Sequence, residues 1–307
     1  MAEAPLDRVV NPVSVARATS ENRAAALPAK GRRGLLSKVL FIALLITFTV
    51  LFIYPFIWLL SASLKSTTEV FNNQLIPNPP RWENYSELTT RAPVLNWAWN
   101  STIVSILAAV TVTFSSALVA FAFAYFRFPG RNLLFGVVLA TLLLPDTVTM
   151  IPKFLIWDAL GFNNTLVPLW AGNLFASAFY IFLLRQFFLT LPRELFEAAR
   201  VDGASHLRIW WSIALPLTRA ALIVVFVFEL KAAWTDLLKP LIFIHDVAMF
   251  TLPRGLKAIV DNPSIGGQKE WELLAAAGVI VTIPMIVVFF LGQRYFLEGI
   301  ATTGSKG

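Results

Sequence analysis

The sequence contains no cysteine and only two histidines, His206 and His245. Disulfide frameworks, thiol nucleophiles and Cys/His zinc sites are excluded by that inventory. Charge is scarce as well: 14% of the 307 residues are Asp, Glu, Lys or Arg, against about 25% in a soluble globular domain. In its place stand 57% apolar residues and a mean hydropathy of +0.69, the composition of a membrane protein. A nucleotide loop is also missing. The tail GIATTGSKG sets Gly299 and Gly304 at the right separation, but Ser305 stands where the phosphate-binding lysine belongs. With no Ser/His/Asp or paired-carboxylate constellation evident, neither catalysis nor a bound cofactor or metal is expected on this chain.

Six apolar stretches are long enough to cross a bilayer core, which takes about 20 helical residues. They run over 39–60, 101–126, 133–151, 166–184, 220–238 and 273–296. The first is too long, and its polar lead too extended, for a secretory signal. Trp97 and Trp99 precede the second as an expected interfacial belt. Pro145 and Asp146 lie near the end of the third, and Pro284 lies inside the sixth.

Counting Lys and Arg in alternate connecting segments gives 16 on one side and 7 on the other. The richer side is expected to be cytoplasmic, with both termini there. The net charge of +7 is thus read as membrane orientation and lipid contact, and no nucleic-acid partner is expected. Residues 1–36, rich in Ala, Arg and Pro, read as a disordered basic arm beside anionic lipid. Residues 37–307 then form the six-span domain, an all-α membrane protein.

The longest cytoplasmic connection, 185–219, includes EAARVDGASHLRIWWSIALPL, residues 197–217. Pro192 suits a helix start, and Leu195, Phe196 and Ala199 share one helical face. Gly203 is expected as the C-terminal cap, Ser205 as the cap of a second helix from His206 to about Leu215, and Pro216 as the joint to the fifth span. Leu207, Trp210 and Trp211 give that second helix a broad aromatic surface. Glu197 has Arg200 three residues on, close enough for an intrahelical pair. From geometry alone such a hairpin is either an amphipathic element lying in the headgroups or a docking element for a cytoplasmic partner.

The spacing Glu197-Ala198-Ala199, three residues, Gly203, nine residues, Ile213, one residue, Leu215-Pro216 resembles the EAA loop of permease subunits in binding-protein-dependent ABC importers. YPFIWLLSASLKS (54–66), NWAWNS (96–101), FAYFRFPGR (123–131), WTDLLKPLIF (234–243), TLPRGL (251–256) and QRYFLEGIATTGSKG (293–307) are similar to the carbohydrate-type members, the maltose permease group. The resemblance implies a translocation pore shared with a sister permease in a prokaryotic cell membrane. It further implies two ATP-binding subunits carrying ATP and Mg, and an extracytoplasmic solute-binding protein. Coupling to the ATPase would then fall to Glu197, Ala198, Ala199, Asp202, Gly203, Ala204, Ile213, Leu215 and Pro216. The segment from His245 to Glu272, with Pro253, Gly255, Gly266 and Gly267, would touch the delivery protein.

Ionisable groups inside spans usually face a cavity or a partner helix. Asp146, Asn173, Glu229 and Trp234 are candidates for a solute path, because sugars are bound by aromatic faces, carboxylates and amides. Helix packing and interhelical hydrogen bonds explain the same residues equally well. Asp236 and Lys239 are expected to pair on one helix face. The expected solute is a carbohydrate, with glycerol-3-phosphate as the alternative; Lys231 is the only basic residue deep in a span, which tilts the reading to a neutral sugar. An ATP-independent secondary transporter is the competing class, and the inverted repeat it usually carries is not evident.

Overall fold

The computed structural model describes the backbone of residues 33–261 and 270–304 and the side chains of residues 37–261 and 270–294. The first 32 residues of the expected basic arm therefore lie outside the described residues, as do Gly266, Gly267 and Lys306. Among the described residues the secondary structure is helical, with no strand.

The chain divides into two units, residues 1–57 and 58–307. The first unit carries most of helix α1, Arg33–Ala62, which begins inside the stretch assigned to the arm. Within it the hydroxyls of Thr47 and Thr49 donate to the carbonyls of Ala43 and Leu45 at 2.9 and 2.7 Å. Such back-bonding hides the only polar atoms of those side chains in an apolar helix.

In the second unit α2 spans Glu83–Arg91 and α3 spans Val94–Tyr125. The remaining helices are α4 Arg131–Ala140, α5 Asp146–Ala159, α6 Val167–Trp170, α7 Ala178–Leu189 and α8 Arg193–Val201. After them come α9 His206–Ile209, α10 Leu215–Leu217, α11 Arg219–Thr235, α12 Leu238–Phe243, α13 Leu252–Asp261 and α14 Trp271–Gly304.

Three described helices are long and apolar enough to span a membrane, and up to six spans result if each of three bent pairs counts as one. Three of the expected spans are therefore bent pairs rather than continuous helices. The third breaks by 99° between Leu143 and Asp146, because the Pro145 ring drives Leu144 to an extended ψ of 116°. The fourth bends by 41° around Ala176, a non-glycine residue at φ 65°. The fifth starts after an 81° bend at Thr218 and ends at Thr235. Asp236 is therefore extended, and its expected pair with Lys239 forms across a helix break. Asp236 Oδ2 lies 3.3 Å from Lys239 Nζ while Oδ1 accepts from the Lys239 backbone N–H at 3.2 Å.

Helix α3 is the post around which the second unit packs, chiefly against α7 and α11. Val104, Ala108, Val112, Ser116, Ala120 and Ala124 recur every fourth residue and are all buried. Small side chains at that spacing let helix backbones approach closely, which matters where lipid offers no hydrophobic drive to association. At its start, NWAWNS laces the chain around Val247 to Leu252. Asn96 and Asn100 donate to the Ala248 carbonyl at 2.6 and 2.9 Å, and Trp97 Nε1 donates to that of Val247 at 2.8 Å. Trp97 is thus a buried packing residue and not part of an interfacial belt, while Trp99 stays exposed.

Candidate functional site

Helix α8 and the segment after it form the hairpin expected from residues 197–217. Extended Pro192 precedes α8, Glu194 lies in its first turn and Arg200 in its last, charges matched to the helix dipole. Gly203 ends it at φ 80°, with its N–H bonded to the Arg200 carbonyl at 3.0 Å and the Ala204 N–H to that of Ala199 at 2.9 Å. These two bonds make a Schellman closure, the left-handed stop that glycine adopts without a Cβ penalty. Ser205 Oγ then accepts from the Arg208 N–H at 3.3 Å and opens α9.

The hairpin is pinned by Phe196, which is 5% exposed. Its ring meets Phe121 and Tyr125 edge-on, with centroids 6.1 and 5.5 Å apart. His206 packs edge-on against Tyr125 and Phe126 at 5.7 and 5.0 Å, tying the second limb to the same end of α3. A π-turn over Trp210–Ala214 follows, and Trp210 at its start packs edge-on against Phe114 at 5.0 Å. The broad aromatic surface expected from the tryptophans is therefore divided: Trp210 is buried and Trp211 exposed.

The nine motif positions separate into two faces. Ala199, Ala204, Ile213 and Leu215 pack against the aromatic cluster. Glu197, Ala198, Asp202, Gly203 and Pro216 are exposed, joined by Val201 at 88%. No salt bridge among the described residues involves Glu197, so the intrahelical pair with Arg200 is not formed. The outward face thus presents carboxylates and small residues on a rigidly seated helix.

The four solute-path candidates do not assemble as a set. Asp146 starts α5, fully exposed, 3.4 Å from Lys153 Nζ. Trp234 is buried and donates to the Val281 carbonyl at 3.1 Å, fastening α11 to α14. Only Asn173 and Glu229 meet, at 2.6 Å from Nδ2 to Oε1. Asn173 also donates to the Ala108 carbonyl at 3.2 Å, and its own carbonyl accepts from Ser115 Oγ at 2.9 Å. Across the break, the Ser177 N–H donates to Ser116 Oγ at 3.1 Å. A broken span frees backbone groups that lipid cannot satisfy, and these side chains satisfy them. Among the described residues no group of three or more His, Asp or Glu is placed to hold a metal.

That arrangement carries a prediction. Asn173→Leu removes the amide from a partly buried carboxylate and is expected to cost about 1 kcal/mol, the scale of interhelical hydrogen bonds in membranes. Asn173→Leu with Glu229→Leu should cost less than the sum of the single changes, since neither partner is left unpaired. Thermal midpoints of the four variants in detergent measure the difference, and strict additivity would show that the two residues do not act together.

Residues 116–301 match the family described as the binding-protein-dependent transport system inner membrane component. The chain is 34% identical over 279 residues to the sn-glycerol-3-phosphate transport system permease protein UgpE of Yersinia enterocolitica, covering 88% of this chain and 98% of that one. It is 31% identical to the arabinooligosaccharides transport system permease protein AraQ of Halalkalibacterium halodurans, over 83% of this chain and 91% of the other. Among solved structures it is similar to a chain of a bacterial ABC transporter involved in the import of the acidic polysaccharide alginate. That match has a TM-score of 0.72 at 25% identity and covers 88% of this chain and all of the other.

Proposed function

The chain belongs to the family of binding-protein-dependent transport system inner membrane components, and from that membership we propose a carbohydrate-importing permease whose α8–α9 hairpin docks on a separate ATPase. It is a multi-pass membrane component of an ABC importer, and its relatives are transport permeases rather than enzymes. In the proposed assembly a sister permease completes the pore and two ATPase subunits hold ATP and Mg. An extracytoplasmic solute-binding protein delivers the cargo. In this reading the hairpin and both termini lie on the cytoplasmic side, the orientation that the Lys/Arg bias favours.

The observation that carries this reading is the two-faced hairpin. Glu197, Ala198, Asp202 and Gly203 face outward, while Phe196 locks the helix into the aromatic end of α3. A force applied to the outer face therefore reaches the packed helices as a rigid-body displacement, because a close-packed core does not deform continuously. Of the proposed delivery-protein segment, Gly255 is buried and so serves packing rather than contact.

For the solute, the polar groups gathered between α3, the α6–α7 break and α11 are an amide, a carboxylate and hydroxyls. These suit sugar hydroxyls, whereas the Glu229 charge would repel a phosphate monoester. The resemblance to UgpE supports glycerol-3-phosphate as the second reading. Uptake into proteoliposomes holding the chain with its co-purified partners tests both. ATP-dependent, vanadate-sensitive uptake of an oligosaccharide is the expected result; uptake of glycerol-3-phosphate alone would select the second reading. Uptake driven only by an ion gradient would overturn both.

Gly203→Val probes the docking element separately. No atom lies within 4 Å of a Cβ at this position, so the cost is the left-handed backbone, about 1–2 kcal/mol. The chain is expected to insert normally, while uptake falls several-fold and ATP hydrolysis no longer responds to the solute-loaded binding protein. Normal uptake with normal coupling would refute a shape requirement at Gly203.

A further inference from the structure

The turn after α3 and the first residue of α8 enclose an open cleft of about 480 Å³, lined by Arg127, Arg131 and Arg193 together with Asn132 and Leu133. Among the described residues no acidic side chain lines it. None of its three arginines forms a salt bridge with a described residue. Arg131 donates from Nη1 to the Phe126 carbonyl at 3.3 Å. A fourth cation, Arg185, lies over the Phe135 ring at 4.3 Å and close enough to Arg131 for the two to repel.

Gathering like charges without a counter-charge is unfavourable, and an anion in the cleft reverses the sign of that interaction. Guanidinium groups match phosphate oxygens with paired N–H donors, which gives geometry as well as charge. Asn132 adds a neutral polar side chain at the start of α4. Directly along α4, Leu133, Leu134 and Val137 are exposed. A ligand with a phosphate beside an apolar chain fits both halves of this surface.

We propose that the arginine cleft binds a phosphate group, supplied by the headgroup of an anionic phospholipid whose acyl chain lies along α4. Because Arg193 is the first residue of α8, the bound phosphate sits at the root of the proposed docking hairpin. The inference rests on the cleft and the membrane-spanning helices and does not require the transport reading.

The test is native mass spectrometry of the full chain with its co-purifying partners, delipidated in detergent and exposed in separate arms to phosphatidylglycerol, phosphatidylcholine and inorganic phosphate. Wild type is expected to retain phosphatidylglycerol over phosphatidylcholine by about tenfold or more, since each arginine near an anionic surface contributes roughly fivefold. Arg127→Gln with Arg131→Gln should remove most of the preference at an unchanged thermal midpoint. Arg127→Lys with Arg131→Lys should keep part of it, retaining charge but losing the paired donors. Arg91→Gln, at the opposite end of α3, should leave it intact. Binding of inorganic phosphate with no lipid preference would assign the site to a free phosphate and overturn the lipid source. A preference undiminished by the double Gln change would overturn the site. So would the absence of any phosphate binding together with loss of a co-purifying chain from the double Gln variant, which would make the cleft a protein-docking surface.

Discussion

Phe196→Ala is expected to abolish coupled transport while leaving the chain inserted in the membrane. The ring packs edge-on against both Phe121 and Tyr125 at the end of α3. Removing a buried Phe costs about 3–5 kcal/mol in soluble cores. Two edge-on aromatic contacts of about 0.5–1.5 kcal/mol each account for part of that. The same cluster also draws on residues outside the hairpin, among them Leu184, Ala221 and Val225, so α3, α7 and α11 are expected to stay packed. The expected phenotype is therefore a detached docking element: uptake below about a tenth of wild type, with the basal ATPase rate insensitive to the loaded binding protein. Phe196→Leu should recover part of the coupling, since it refills most of the volume. Leu195→Ala, at an exposed neighbour, should be close to neutral. Equal effects at 195 and 196 would refute the anchoring role.

The second large effect lies at the opposite end of α3. A Cβ on Gly255 would come to 2.0 Å from Trp97 Cε3 and within 2.5 Å of two further ring atoms. The ring has nowhere to go, being fully buried, hydrogen-bonded to Val247 and packed against Phe250 at 6.0 Å. Gly255 lies in helix α13, where alanine is ordinarily favoured over glycine by about 1 kcal/mol. Gly255→Ala is nevertheless expected to destabilise by at least the 1–3 kcal/mol of a typical overpacked site, read as a lowered thermal midpoint in detergent. Trp97→Leu introduced with it should recover part of the loss by vacating the space. Gly278→Ala is the contrast: its Cβ would meet only Leu59 side-chain carbons, the nearest at 3.3 Å, which can rotate away. If Gly255→Ala behaves like Gly278→Ala, the close contact does not exist in the protein.

The hairpin shows where local reading succeeds. Gly203 as a left-handed stop and Ser205 as a cap followed from side-chain chemistry that acts over one turn, and both hold. Trp97 and Trp210 show where it fails. A tryptophan beside an apolar run suits a membrane interface or a core equally well, and only the Val247 carbonyl and the Phe114 ring decide between them. The 99° break in the third span was illegible for a related reason. Pro145 was visible, but whether a span tolerates or breaks at proline depends on what meets the freed backbone.

By itself, then, the sequence determined the class of the chain, the places where it is apolar enough to cross a bilayer and the polar hairpin between the fourth and fifth apolar stretches. Each of these follows from the free energy of moving short segments between water and lipid, which adds up residue by residue. Tertiary structure alone decided which side of that hairpin faces out, that Asn173 and Glu229 meet while Asp146 and Trp234 stand apart, and that three arginines share one cleft. In helices that are apolar all round, periodicity carries little contrast: the buried stripe of α3 is marked by small size rather than by hydrophobicity. Pairings across such helices are set by shape and by directed hydrogen bonds between distant residues, which come into being only when the chain is packed.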